Sequence, residues 1–115
     1  MESLRRKGIG SKKMIIDEAS PNMQAYMNTV SAMTYANIEM RPLGILIRIN
    51  KGLKNFTWVI PYYHLVMYKI DGSSIHSQGK FLRFRKNTTF KENKTFFEKL
   101  LDEKVKYDTE YKIFT

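Results

Sequence analysis

The feature that most constrains this chain is a run of β-branched residues at period two. Ile45, Ile47 and Ile49 alternate with Leu46, Arg48 and Asn50. After Lys51-Gly52 the alternation resumes, with Phe56, Trp58 and Ile60 against Asn55, Thr57 and Val59. Successive side chains of a strand point to opposite faces, so each half presents one apolar face. Glycine supplies the positive φ that a tight hairpin loop requires. The pattern predicts an antiparallel hairpin over residues 45–60. Pro61, which has no N–H for the ladder, should end or bend its second strand.

Further strands are expected on both sides of this hairpin. Residues 63–70 are apolar on both phases, as in a strand covered on both sides. Asp71-Gly72 reads as a hairpin turn and residues 73–77 as the return. Gln78-Gly79 marks either a turn or a bulge. Beyond it Leu82 and Phe84 face one side, and Phe81, Arg83 and Arg85 the other. Upstream, Met14-Ile15-Ile16 fits a first strand, residues 36–42 a short strand that Pro42 either ends or places at a sheet edge, and Leu43-Gly44 a turn.

Two helices are predicted. Ser20-Pro21 is a favourable start, and Met23, Tyr26, Met27 and Val30 recur at helical spacing, which suggests a helix over residues 21–35. The second lies near the C-terminus. Thr89 and Glu92 have capping-box spacing, with Asn93 as a competing start. Phe90, Phe97, Leu100, Leu101 and Val105 form the apolar stripe, which Phe96 widens. Lys94 with Glu98, Lys99 with Glu103, and Asp102 with Lys106 are spaced to pair on the wet face. The expected architecture is α+β: an antiparallel sheet covered by the C-terminal helix, with an additional N-terminal helix. Residues 1–13 read as a flexible basic arm and residues 14–115 as a single domain.

The net charge of +9 is unevenly placed. Residues 41–89 carry nine basic side chains against Asp71 alone, whereas residues 14–40 carry only the acidic Asp17, Glu18 and Glu39. Arg48, Lys51, Lys54, Lys80, Phe81, Arg83 and Arg85 together form a candidate patch for an anionic ligand, basic and interleaved with an aromatic. Catalytic signals are missing from the sequence. His64 and His76 stand without cysteine or a suitably spaced carboxylate, and there is no phosphate-binding glycine loop or nucleophile motif. A non-enzyme without metal or cofactor is expected. The chain has no cysteine, which fits a reducing cytoplasm, and no apolar segment follows the basic arm as a secretory signal would require.

Trp58-Val59-Ile60-Pro61-Tyr62, Asp71-Gly72, Gly79-Lys80-Phe81-Leu82-Arg83-Phe84 and a helix carrying Asn93-Lys94 and Phe96-Phe97 follow one another in an order that resembles the bacterial pleckstrin-homology-like domains of the YcxB and GRAM type. The resemblance covers residues 43–107. It implies a strongly bent sheet or partly open barrel capped by the C-terminal helix. It also implies that, if residues 45–60 were the family's first hairpin, Arg48, Lys51 and Lys54 would stand where eukaryotic relatives bind phosphoinositides. A helix before Leu43 departs from that arrangement. Three roles compete for such a module. Protein–protein interaction through a sheet edge or the Met-rich helix ranks first. Binding at an anionic membrane surface ranks second, making the protein cytoplasmic or membrane-peripheral. Nucleic-acid binding ranks third, since the RNA-binding sheet signatures are absent. An exposed sheet edge also suits a homodimer.

Overall fold

A computed structural model describes residues 9–27, 33–67 and 73–112. Among these residues eight strands build one antiparallel sheet: β1 (Ile9–Gly10), β2 (Met14–Ala19), β3 (Thr34–Arg41), β4 (Gly44–Lys51), β5 (Lys54–Pro61), β6 (Val66–Met67), β7 (Ser74–Ser77) and β8 (Lys80–Phe84). The order is β5-β4-β3-β2-β8-β7-β6, and β1 lies beside β3 in line with β2. Two helices close the chain, α1 (Thr88–Lys91) and α2 (Lys94–Lys112). The protein is thus α+β, with a C-terminal helix on an open sheet whose ends are β5 and β6.

The central hairpin forms as its alternation dictates. Lys51 pairs with Lys54 around the two-residue loop Gly52-Leu53, and Gly52 takes a φ of +57°. Ile45, Ile47, Ile49 and Ile60 are buried, while Asn55, Thr57 and Val59 face solvent. Gln78-Gly79 resolves as a turn, because both residues have positive φ and Ser77 pairs with Lys80 across them. Met14, Ile16, Ala36, Ile38, Met40, Ile75, Leu82 and Phe84 line the same core, and Phe90, Phe96, Phe97 and Leu100 cover it from the helices. A bulge between Ile16 and Glu18 re-phases β2, so that Ala19 turns inward while Asp17 and Glu18 stay outside.

Several expectations need correction. Over residues 21–35 the described backbone holds a short 3₁₀ helix (Pro21–Tyr26), and Thr34 already opens β3; residues 28–32 fall outside the described residues. Thr34, Ala36, Ile38 and Met40 are all buried, so period two prevails over the helical stripe from Thr34 onward. Of the expected strand over residues 63–70, the described part runs to Met67: Tyr62–His64 is a 3₁₀ turn and Val66–Met67 is strand, while residues 68–70 fall outside the described residues. Leu65 is buried there, but Tyr63 and Val66 are exposed, so this segment is not covered on both sides. The Asp71-Gly72 turn lies outside the described residues. The fold also begins before residue 14. Ile9 and Gly10 pair with Met40 and Glu39, and Ser11 exchanges hydrogen bonds with Ile38, its N–H to the carbonyl at 2.7 Å and its Oγ accepting at 2.8 Å.

The helix start differs from the expected Thr89–Glu92 capping box: Thr89 lies inside α1, one residue after its first, and the competing start Asn93 precedes α2. Asn87 caps α1 by accepting from the Phe90 N–H at 3.0 Å, and Asn93 opens α2. Val105, placed by spacing in the apolar stripe, is exposed, and Tyr107 packs there instead, its ring 5.7 Å from that of Tyr62. Among the described residues the ion pairs on this helix are Lys104 with Asp108 and Lys106 with Glu103 rather than the three expected from spacing. Lys104 also donates to the Tyr62 carbonyl at 2.8 Å, which ties α2 to the 3₁₀ turn after β5. Tyr62 is buried and its hydroxyl donates to the Arg41 carbonyl at 2.9 Å. Burial, with the Glu103 charge nearby, pushes its phenol well above the ordinary range. Among the described residues no helix is long and apolar enough to cross a membrane.

Candidate functional site

The seven residues of the expected anionic-ligand patch divide: Lys51, Lys54 and Lys80 stand around the end of β5 and its slot, whereas Arg48, Arg83 and Arg85 are each engaged by a carboxylate. Hairpin 45–60 is β4–β5, preceded by the β2–β3 and β3–β4 pairs, and it sits at one end of the sheet rather than first in it. Arg48 lies on the outer face of β4 and pairs with Glu39 of β3 at 2.9 Å. Glu39 also takes Arg41, at 2.5 Å, so one carboxylate serves two guanidinium groups. Arg83 and Arg85 pair with Glu18 and Asp17 of β2 at 2.5 and 3.0 Å. The carboxylates come from the neighbouring strand, not from the covering helix. Lys51 donates to the Ala25 carbonyl at 2.8 Å. Phe81 is half-buried and stacks on His76, ring centroids 5.2 Å apart. Lys80, Arg83 and Arg85 each border a different hollow.

One of these hollows, about 650 Å³, is bordered by Asp17, Ser73, Ser74, His76, Arg83 and Lys86. Its chemistry is mixed. Asp17 contributes a negative charge, and Arg83 is already engaged by Glu18. The His76 ring lies 2.7 Å from the Ser74 hydroxyl. Its pKa is lowered by burial and then by the Arg83 charge, so the ring is neutral at pH 7. Among the described residues no group of three or more His, Asp or Glu side chains could hold a metal ion.

The edge of β5 is a different kind of site. Among the described residues it ends the sheet, and its eight residues meet β4 on one side only. Register fixes which backbone groups are spent. In a hairpin with a two-residue loop the closing pair is hydrogen-bonded, and bonded and non-bonded pairs then alternate. Lys54, Phe56, Trp58 and Ile60 therefore bond to β4, and the Tyr62 N–H, donating to the Leu43 carbonyl at 3.0 Å, confirms the parity. Asn55, Thr57 and Val59 direct their N–H and C=O groups outward. Pro61 shares that parity, where its missing N–H costs no ladder bond.

The surroundings of this edge are apolar and basic. The 3₁₀ helix Pro21–Tyr26 runs opposite it, held by the bond from Lys51 to Ala25 and by an edge-on contact of Tyr26 with Phe56, ring centroids 5.0 Å apart. Between them lies a slot of about 320 Å³ lined by Met23, Tyr26, Phe56, Trp58 and Val59, with Lys80 at its border. At the far end of β5, Leu43, Val59 and Tyr63 are each more than 60% exposed and border an apolar hollow with Pro61 and Tyr107. Tyr26 is read from the sequence only as part of a helical stripe, and the outward parity of β5 is not read at all, although the hairpin loop length and Pro61 together encode it. Trp58 is half-buried against the core. Trp58→Ala should therefore cost about 2 kcal/mol, below the roughly 3–5 of a fully buried aromatic, as read by chemical denaturation. A loss near 5 would mean the slot is closed in solution. No family model, no curated protein and no solved structure matches the chain.

Proposed function

We propose that this chain is a non-catalytic binding module whose ligand is a protein, engaged at the open end of the sheet around β5. The observation that carries this reading is a contrast. Three arginines expected to bind anions are held by carboxylates of the next strand, whereas β5 keeps an unshared edge beside exposed apolar side chains. Exposed ion pairs are individually weak, but they lower the net potential of the surface that carries them. An unprotected edge strand, by contrast, attracts other strands unless something covers it.

The same reading takes the domain as pleckstrin-homology-like and cytoplasmic. The open antiparallel sheet with a C-terminal helix packed on its core supports this, as does the approach of Lys80 on β8 to the β5 slot, which implies a sheet bent round on itself. Photo-cross-linking in the cells that make the protein tests the functional claim, with the reactive residue at position 59, at position 83, or at position 99 on the outer face of α2. Discrete protein adducts at position 59 alone are expected. Lipid or nucleic-acid adducts at position 83, with none at 59, would transfer the function to the arginine face.

A further inference from the structure

The edge and the slot share a geometry that defines what kind of segment they accept. An extended chain lying along β5 would meet the free N–H and C=O groups of Asn55, Thr57 and Val59, spaced at every second residue. Its own side chains would alternate between the two faces of the sheet. Those on the inner face would point toward Tyr26, Phe56 and Trp58, where the slot has room for one large apolar side chain. Added-strand recognition divides in this way, main-chain bonds giving affinity and side-chain pockets giving specificity.

Charge selects among such segments. Lys54 begins β5, Lys51 faces it across the turn, and Lys80 borders the slot, while no acidic side chain among the described residues borders it. A second copy of this chain would bring the same lysines, and a net charge of +9, against themselves. Resting on the protein-partner reading above, we infer that β5 takes up an extended acidic segment of another protein as an added antiparallel or parallel strand, seating one apolar side chain between Tyr26 and Trp58.

Selection from a displayed library of random peptides on the wild-type chain, with Val59→Pro as counter-target, tests this. Proline at position 59 removes an outward donor at the parity where Pro61 already stands, so the β4–β5 ladder keeps its bonds. The expected outcome is enrichment, on the wild type only, of peptides with one apolar anchor flanked by acidic residues. Synthetic versions N-methylated at alternate amides on the pairing side should bind about tenfold more weakly, and methylation on the other parity should change little. Lys80→Glu should lower the preference for acidic flanks, which keeps the inference testable if Val59→Pro fails to fold. Equal enrichment on both targets, indifference to methylation, or a concentration-dependent dimer that occupies the edge would overturn it. Protein adducts at position 59 without any such peptide preference would sink this inference and leave the protein-partner reading standing.

Discussion

Gly44→Ala is expected to destabilise the protein by about 3 kcal/mol, the upper part of the range for overpacking a well-filled site. The reason is contact rather than backbone conformation. Gly44 opens β4 opposite Pro61, and a Cβ built there would lie 2.8 Å from the Pro61 Cα and still closer to the Ile60 carbonyl oxygen. Both obstacles are backbone, which cannot rotate away as a side chain can. The hairpin must part at the end where Tyr62 bonds back to Leu43, and the buried Tyr62 and Ile60 would be carried with it. Thermal unfolding should show a drop in Tm of roughly 10 °C. A Tm within a degree or two of wild type would mean that this end of the hairpin is not held as close as described.

Asn93→Leu should be nearly as costly, about 2–3 kcal/mol. Asn93 is buried at the junction of α1 and α2 and uses its amide fully. Its Oδ1 accepts from the Lys12 N–H at 2.8 Å, and its Nδ2 donates to the Thr89 carbonyl at 3.2 Å and the Lys12 carbonyl at 3.4 Å. Leucine fits the volume but leaves these groups unsatisfied, and a buried orphan costs about 1–3 kcal/mol. The link also joins parts of the chain remote in sequence, so its loss should free the segment before β2. Denaturant unfolding measures the first effect, and faster tryptic cleavage at Lys12 and Lys13 reports the second. Asn93→Asp, which keeps the acceptor for Lys12, should lose less. Unchanged cleavage together with unchanged stability would show that the tie contributes nothing.

The sequence made the local features legible and left the non-local ones hidden. Ile45 to Ile60 declared its hairpin because alternation, Gly52 and Pro61 agree with one another. Asn93 was visible as a helix start because its residue type suits a cap. Gly44 was read as part of a turn, yet the turn residues are Pro42 and Leu43 and the glycine is needed for close approach. Residues 21–35 misled because Met23, Tyr26 and Met27 satisfy helical spacing within one turn, whereas Thr34 and Ala36 carry no strong strand signal alone. The partners of Arg83 and Arg85 are the carboxylates of Glu18 and Asp17. They lie on β2 because β2 and β8 pair from opposite ends of the chain, a contact no local pattern announces. Lys80, Arg83 and Arg85 are likewise close in sequence, yet each borders a different hollow.

Native-state amide exchange by NMR tests the open β5 edge most directly. The account predicts alternation along one strand: the N–H groups of Asn55, Thr57 and Val59 exchange freely, and those of Phe56, Trp58 and Ile60 about a hundredfold or more slower, since only the latter bond to β4. Equal protection of all six would contradict it, because the edge would then already be paired and could receive no partner strand.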